Sequence, residues 1–322
     1  CHKFCSKNWT ECKPPMTSRS PSALQLKIVV SSITSPILPR QLKILVRCES
    51  QAKQKHHNFK GETRRLVLGT GASLLVSNMM NRKIGSKSVT ASALKNSAIE
   101  EILENVEWPE QFPFKDEDFQ RFDESPDSLF YDSPRFVTHI DDPAIAALTN
   151  YYSKVLPPSE TPGVAILDMC SSWVSHFPQG YKQGIITGMG MNEDELKRNP
   201  VLTDYIVQDL NANPKIPSPD NHFDVITNVV SVDYLTRPLE MFKEMARVLK
   251  PGGLAIMSFS NRCFWTKAIS IWTSTGDDEH VMIVGSYFHF AGGFDPPKAL
   301  DISPNPGRSD PMYIVYANKS SA

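Results

Sequence analysis

The chain reads as an α/β protein built on a parallel sheet, and three stretches carry that prediction. Val164-Ala165-Ile166-Leu167-Asp168-Met169-Cys170 is a short apolar run after Pro162-Gly163, as a parallel strand buried on both faces should be. Phe223-Asp224-Val225-Ile226-Thr227-Asn228 repeats that pattern. A helical stretch, the breaker Lys250-Pro251-Gly252-Gly253 and a third apolar run, Leu254 to Phe259, then follow in order. Asp168 sits near the carboxyl end of the first run, the edge at which open α/β sheets bind their ligands.

The remaining elements can be placed around these runs. Strand one spans 164–169, Ile185 to Met191 reads as strand two, Tyr205 to Leu210 as strand three and Phe223 to Val230 as strand four. Asn192-Glu193-Asp194-Glu195-Leu196 begins a capped helix. Pro238 to Leu249 is a helix with Leu239, Phe242, Met245, Ala246 and Leu249 on one face. The breaker separates it from strand five at Leu254, and a second helix is expected over Thr266–Thr273. Ala299 to Ile302 and Met312 to Ala317, joined by a loop rich in Pro, Gly and Asn, make a hairpin. Upstream, Asp141-Asp142-Pro143 supplies an N-cap and a proline at the first position of a helix running to Leu156. Ile99, Ile102, Leu103 and Val106 stand at helical spacing within residues 94–107. Trp108 to Val137 lacks periodicity, yet it holds too many aromatics for a disordered linker. It is either a lid over the ligand edge or a strap packed on the sheet's outer face.

Charge divides the chain unevenly. Residues 1–98 hold 17 of the 34 Lys/Arg but only three of the 35 acids, Glu11, Glu49 and Glu62. A basic arm for nucleic acid would have such a charge, but the serine content and missing apolar period match an organelle transit peptide. Arg64-Arg65 precedes an uncharged stretch, Leu66 to Val76, too short for the roughly 20 residues of a bilayer span. Ala91-Ser92-Ala93 then offers a small-x-small cleavage site. The expected organisation is therefore a plastid transit peptide over 1–60, a twin-arginine lumenal signal over 61–93, an extension or lid over 94–140 and the core over 141–322. This points to the chloroplast, and within it the thylakoid lumen. The alternative is an incidental arginine pair before a buried helix. Cys1, Cys5, Cys12 and Cys48 leave with the leader. Cys170 and Cys263, two strand spacings or roughly 9.5 Å apart, are expected to be free thiols.

The order of these elements resembles the class I S-adenosylmethionine-dependent methyltransferases, of the methyltransferase type 11-like kind, over about 160 residues. The likeness is strongest in Phe223-Asp224-Val225-Ile226 of strand four and in Arg247-Val248-Leu249-Lys250-Pro251-Gly252-Gly253. The resemblance implies a Rossmann-like seven-stranded sheet in the order 3-2-1-4-5-7-6, with only the seventh strand antiparallel. It also implies S-adenosylmethionine as cofactor. Where that family writes Asp-x-Gly-x-Gly-x-Gly, this chain writes Asp168-Met169-Cys170-Ser171-Ser172-Trp173-Val174, a divergent loop similar to that of a plant plastid group. The family's ribose-holding acid at the end of strand two falls on Gly190, followed by Met191. Asp209-Leu210 fits its adenine-edge pair. The cofactor-binding residues implied are thus Asp168, Cys170, Ser171, Ser172, Gly190, Met191, Asp209, Leu210 and Asn228. On this basis Asp209→Ala should weaken cofactor binding, and Gly190→Asp, by restoring the acid, should tighten it.

Methyl transfer needs orientation above all, and a base only when the acceptor must lose a proton. His176, Asp233, Tyr234, His280 and His289 are candidates, although a lone histidine is more often structural. Arg262, in Ser260-Asn261-Arg262 at the end of strand five, either receives an acidic acceptor or caps its loop. No motif for a metal, a phosphate loop or a serine nucleophile is present. Two functions stand: a methyltransferase acting on a small molecule in the chloroplast, or a non-catalytic binding or assembly protein of the thylakoid lumen on the same fold. No nucleic-acid partner is expected and no transmembrane segment in the mature chain. The sequence leaves the oligomeric state open.

Overall fold

The computed structural model describes residues 93–321, with side chains from Ala98 onward. The proposed leader, its Arg64-Arg65 pair and Cys1, Cys5, Cys12 and Cys48 lie outside the described residues. The strands are β1 (Ala165–Met169), β2 (Ile185–Gly190), β3 (Asp204–Val207), β4 (Phe223–Val229), β5 (Leu249–Phe259), β6 (Lys298–Asp301) and β7 (Tyr313–Asn318). They form one seven-stranded sheet in the order β3-β2-β1-β4-β5-β7-β6. β1 is parallel to both β2 and β4, while β7 runs antiparallel to β5 and β6. This is the strand order that the sequence resemblance implies.

The pleat distributes side chains to two helical layers. Ile166, Val225, Ile256 and Ile314 point to one face, where Leu148, Tyr151 and Tyr152 of helix α3 (Asp142–Val155) cover them. Their neighbours Leu167, Ile226, Ala255, Met257 and Val315 point to the other face. There they meet α5 (Pro238–Val248) and α7 (Asp277–Ala291). Asp141 caps α3, its Oδ1 accepting the Ala144 N–H at 3.0 Å, with Pro143 in the first turn. Helix α1 (Ala93–Ile102) packs beside α7 and β6.

Two expectations near the carboxyl half need correction. β5 starts at Leu249, because Lys250-Pro251-Gly252-Gly253 bulges out of a continuous strand; Leu249 pairs with Phe223 and Leu254 with Val225. Gly252 has φ +76°, and a Cβ on Gly253 would meet the Lys250 carbonyl at 2.8 Å, so glycine is required there. The helix expected over 266–273 shrinks to α6 (Ser270–Thr273), and the long helix α7 follows it unanticipated.

The segment 108–139 behaves differently in its two halves. Phe112, Phe114 and Phe119 pack with one another and Phe112 and Phe119 against Tyr287 of α7, a strap on the helical layer. Beyond it, Asp127 in helix α2 (Asp127–Phe130) and the residues up to His139 run over the carboxyl ends of the strands. Between the halves, Arg121 grips Asp127 through both carboxylate oxygens at 2.7 Å. Buried Lys267 lies 3.3 Å from the same carboxylate, so the crossing point is held by opposite charges out of water.

Candidate active site

The loop after β1 replaces conformational freedom with hydrogen bonds. Asp168, buried at the end of β1, accepts three hydroxyls: Ser171 Oγ at 2.6 Å and Ser175 Oγ at 2.7 Å on Oδ2, and Thr227 Oγ1 at 2.8 Å on Oδ1. Burial raises its carboxyl pKa and the three hydroxyls pull it down, burial being the larger effect. Asn199 Nδ2 donates to the Ser172 carbonyl and to Ser175 Oγ, and Ser172 Oγ donates to Glu195 Oε2 at 2.6 Å. The Ser171 N–H donates to the Met189 carbonyl at 2.7 Å, which lays the loop flat on β2. Its turn is made by Cys170 in the left-handed region, φ +57°, where a glycine would cost nothing.

That flat loop decides what can stand at the end of β2. A Cβ on Gly190 would lie 2.2 Å from the Ser171 carbonyl oxygen and 3.2 Å from Leu196 Cδ2. No side chain fits, so the expectation that Gly190→Asp would tighten binding is overturned.

A cavity opens at the carboxyl ends of β1, β2, β3 and β4, the ligand edge of the sheet. It brings together Asp168, Cys170, Ser171, Ser172, Gly190, Met191, Asp209 and Leu210. Asn228 does not reach it. That side chain is fully buried and its Nδ2 donates to the Met169 carbonyl at 3.3 Å, bridging β1 and β4. Trp173 also turns away: its indole N–H donates to the Val137 carbonyl at 2.8 Å and its ring meets Phe136 edge-on. Val174, by contrast, is on the wall. Asp209 Oδ1 accepts the Asn211 and Ala212 N–H groups, which fixes the turn after β3. Asn211 then donates to both Asp127 and the Tyr234 carbonyl, tying that turn to the covering segment.

The covering segment, the half of 108–137 that acts as the lid reading implies, supplies residues not assigned to the site from sequence: Asp127, Tyr131, Arg135 and, just beyond it, His139 line the cavity. Glu195 of α4 (Glu193–Arg198) does so as well. Of the six non-glycine left-handed residues among those described, four (His139, Cys170, His176 and Val230) lie on this wall. Such conformations cost about 1–3 kcal/mol each and collect at functional sites.

The candidate bases separate clearly. His280 is buried, stacked on Trp272 at 3.8 Å with Nε2 on the Trp272 carbonyl, and His289 stacks on Trp108. Both are structural. His176 lines the cavity, and burial, reinforced by nearby His139, lowers its pKa to about 4. Burial lowers that of His139 too, so both rings are neutral at pH 7. Tyr234 lines the cavity while its hydroxyl accepts the Phe264 N–H at 2.7 Å. Asp233 lies behind it, buried, with its carboxyl pushed up to about 8 by burial. Cys170 and Cys263 are both free thiols, and burial pushes the Cys170 thiol up to about 12, which keeps it protonated. A second opening, between Val137–Asp141 and Asn261–Phe264, shares His139, Val230, Tyr234 and Phe264 with the first. Arg262 sits in it, exposed and 3.7 Å from Asp310, so it leans on the neighbouring loop.

The charges of the main cavity favour a cation. Asp127 is matched by Arg121 and Lys267, and Asp168 by its hydroxyls. Glu195 and Asp209 have no cationic partner among the described residues, and Arg135 is the only lysine or arginine on the wall. A sulfonium cofactor bearing ribose hydroxyls fits this donor set: carboxylates for its charge and hydroxyls, neutral imidazoles that do not oppose it. Among the described residues no cluster could hold a metal ion, and no helix is long and apolar enough to cross a membrane.

Part of the chain matches known proteins in sequence. Residues 182–257 match the methyltransferase domain family Methyltransf_11. A ubiquinone/menaquinone biosynthesis C-methyltransferase of Azotobacter vinelandii is 51% identical over 47 residues, 14% of this chain and 19% of that protein. The corresponding protein of Shewanella sediminis is 35% identical over 112 residues, 31% of this chain and 44% of that one. The chain thus spans about a fifth of the length of the first relatives it matches. Among solved structures, a possible histamine N-methyltransferase of Thermotoga maritima covers 55% of this chain and 90% of its own, at 16% identity and TM-score 0.40. The [4+2]-cyclase SpnF covers 54% and 81%, at 17% identity and TM-score 0.39. Residues 182–257 therefore resemble a methyltransferase domain in sequence, and the strand order of the sheet is the one that the sequence resemblance implies.

Proposed function

We propose that the protein is a methyltransferase that uses S-adenosylmethionine to methylate a small molecule. One observation carries the reading: a cavity at the carboxyl edge of this sheet has two carboxylates, Glu195 and Asp209, without cationic partners. Asp209 and Leu210 would hold the adenine end, while Cys170, Ser171 and Ser172 would face the methionine end. When bound, the cofactor supplies an already activated methyl group on a sulfonium. The chain's own residues then have three tasks. Tyr131, Arg135 and His139 cover the cavity and exclude water. Val230, Tyr234 and Phe264 orient the acceptor where the two openings meet. Neutral His176 or His139 accepts the acceptor's proton where one must leave.

The test is calorimetric titration of the full chain with S-adenosylmethionine and S-adenosylhomocysteine. Saturable heat with both is the expected result. Absence of heat would overturn the reading and favour a binding or assembly protein.

The leader supports a place for this activity. A basic, serine-rich start, Arg64-Arg65, the uncharged Leu66–Val76 stretch and Ala91-Ser92-Ala93 together suit import into the chloroplast and passage to the thylakoid lumen.

A further inference from the structure

We propose that Glu195 is the acid that grips the ribose hydroxyls of the ligand, taking over a role that the end of β2 cannot fill. The assignment rests on the cofactor reading above and deepens it. In open nucleotide-binding sheets an acid about 20 residues beyond the first strand's turn receives the ribose. Counted from the end of β1, that place is Gly190, and the Ser171 carbonyl lies 2.2 Å from where its Cβ would be. An acid serving the ribose must therefore stand elsewhere on the wall, and the next element, α4, supplies one.

Glu195 meets that need by geometry. Asn192 Oδ1 accepts the Asp194 and Glu195 N–H groups at 3.0 and 3.1 Å, which fixes the start of α4. The Glu195 side chain is 5% exposed and lies on the cavity wall beside Ser172, Gly190 and Met191. Its Oε2 accepts Ser172 Oγ at 2.6 Å and its Oε1 accepts the Arg135 N–H at 2.5 Å. The two oxygens of a carboxylate offer about four acceptor positions. Two are used by neutral donors, and no lysine or arginine pairs with it among the described residues. A buried carboxylate in that state gains from further donors. Two vicinal hydroxyls are the donor pair that fills the two remaining positions. The contact from Arg135 adds a consequence, since the same carboxylate holds the covering segment and would couple ligand to cover.

The full chain, its Glu195→Gln variant and two probes test the assignment. The probes are S-adenosylhomocysteine and its analogue lacking both ribose hydroxyls, with binding read by calorimetry and thermal midpoints recorded for each protein. Wild type should bind S-adenosylhomocysteine, and Glu195→Gln should bind it about tenfold to a hundredfold more weakly. The analogue should lose a similar factor on wild type and nothing further on the variant. A purely structural Glu195 gives a different pattern, with both probes weakened by one common factor in the variant. That pattern, or equal binding of the two probes by wild type, overturns the assignment while leaving the cofactor reading intact. Failure of wild type to bind S-adenosylhomocysteine at all overturns the cofactor reading itself, and Glu195 with it.

Discussion

Gly190→Ala adds one methyl group at a point where the structure leaves no room, and its cost can be worked out. The new Cβ would lie 2.2 Å from the Ser171 carbonyl oxygen, against the 3.5–4.0 Å or so of relaxed contact, and 3.2 Å from Leu196 Cδ2. The nearest obstacle is backbone, which cannot rotate away as a side-chain tip can. Relief requires lifting the loop, which stretches the 2.7 Å bond from the Ser171 N–H to the Met189 carbonyl. Overpacking costs about 1–3 kcal/mol and a lost buried hydrogen bond about 1 kcal/mol, roughly 2–4 kcal/mol together. For a domain of this size, about 2–4 °C per kcal/mol gives a thermal midpoint lowered by roughly 4–16 °C. Lifting Ser171 also pulls its hydroxyl from Asp168, so affinity for S-adenosylhomocysteine should fall alongside stability. Thermal scans and urea titrations of wild type and variant measure the first effect, calorimetry the second. A variant that melts within a degree of wild type would refute the claim that the loop lies flat on β2. Gly190→Asp should be worse than Gly190→Ala on both measures.

Three further outcomes are expected. The carboxyl of Asp233 is raised from near 3.8 to about 8, so its folded form keeps a proton that the unfolded chain has lost; stability from this group is full below pH 3.8 and is lost as pH rises to about 8. His176, lowered from 6.5 to about 4, acts in the opposite sense, its contribution full above pH 6.5 and lost as pH falls towards 4. The two oppose one another below pH 6.5, and above it Asp233 should lower stability by up to about 1.4 kcal/mol per pH unit. Urea titrations at pH 6.5, 7.2 and 8 should show that decline in wild type and its loss in Asp233→Asn; equal slopes in the two proteins would refute the burial argument. Trp173→Ala removes the indole bond to the Val137 carbonyl and the edge contact with Phe136, so limited proteolysis should cut near residues 132–139 faster. Unchanged cleavage there would show that Trp173 does not hold the cover. On the proposed lumenal route, the mature protein should begin at Leu94 on N-terminal sequencing, and a start far upstream would contradict that route.

The sequence made the sheet legible where burial is two-sided and the site only where it sits on strand ends. β1, β4 and the later part of β5 are apolar runs because both faces meet helices, as Ile166 and Leu167 show by entering opposite clusters. α7 escaped for the same reason. Val281 to Phe288 is buried on every side, so no polar stripe gave it a helical period. Asn228 misled because its polar side chain crosses to the Met169 carbonyl within the sheet instead of projecting from its edge. The aromatics of 108–137 signal a lid or a strap, but a segment without periodicity does not reveal that Tyr131, Arg135 and His139 are the residues it turns to the cavity. Glu195 read as an ordinary acid of a helix's first turn, where a negative charge complements the helix dipole.

The missing loop glycines and the missing acid on β2 have one physical origin. Glycines in a cofactor loop give the backbone freedom to turn and room to approach a neighbour. Here the turn comes from Cys170 in the left-handed region, and the path is set by hydrogen bonds from Ser171, Ser172, Ser175 and Asn199. A loop so fixed still needs room for its own carbonyl, and the room lies beneath it, where the strand has no Cβ. The need for a glycine has thus passed from the loop to Gly190, across the Ser171 contact. An acid cannot share that position. Because Asn192 starts α4 directly after the strand, Glu195 brings a buried carboxylate to the same cavity wall as the vacated place. If that chain of dependence is right, freeing the loop should free the position. In a Ser171→Gly, Ser172→Gly background the loop can rise without losing the two hydroxyl bonds to Asp168 and Glu195, and Gly190→Asp should then cost less stability than it does in wild type. Urea titration of the four proteins in that cycle measures the coupling, and additive effects, within about 0.5 kcal/mol, would show the two features to be independent.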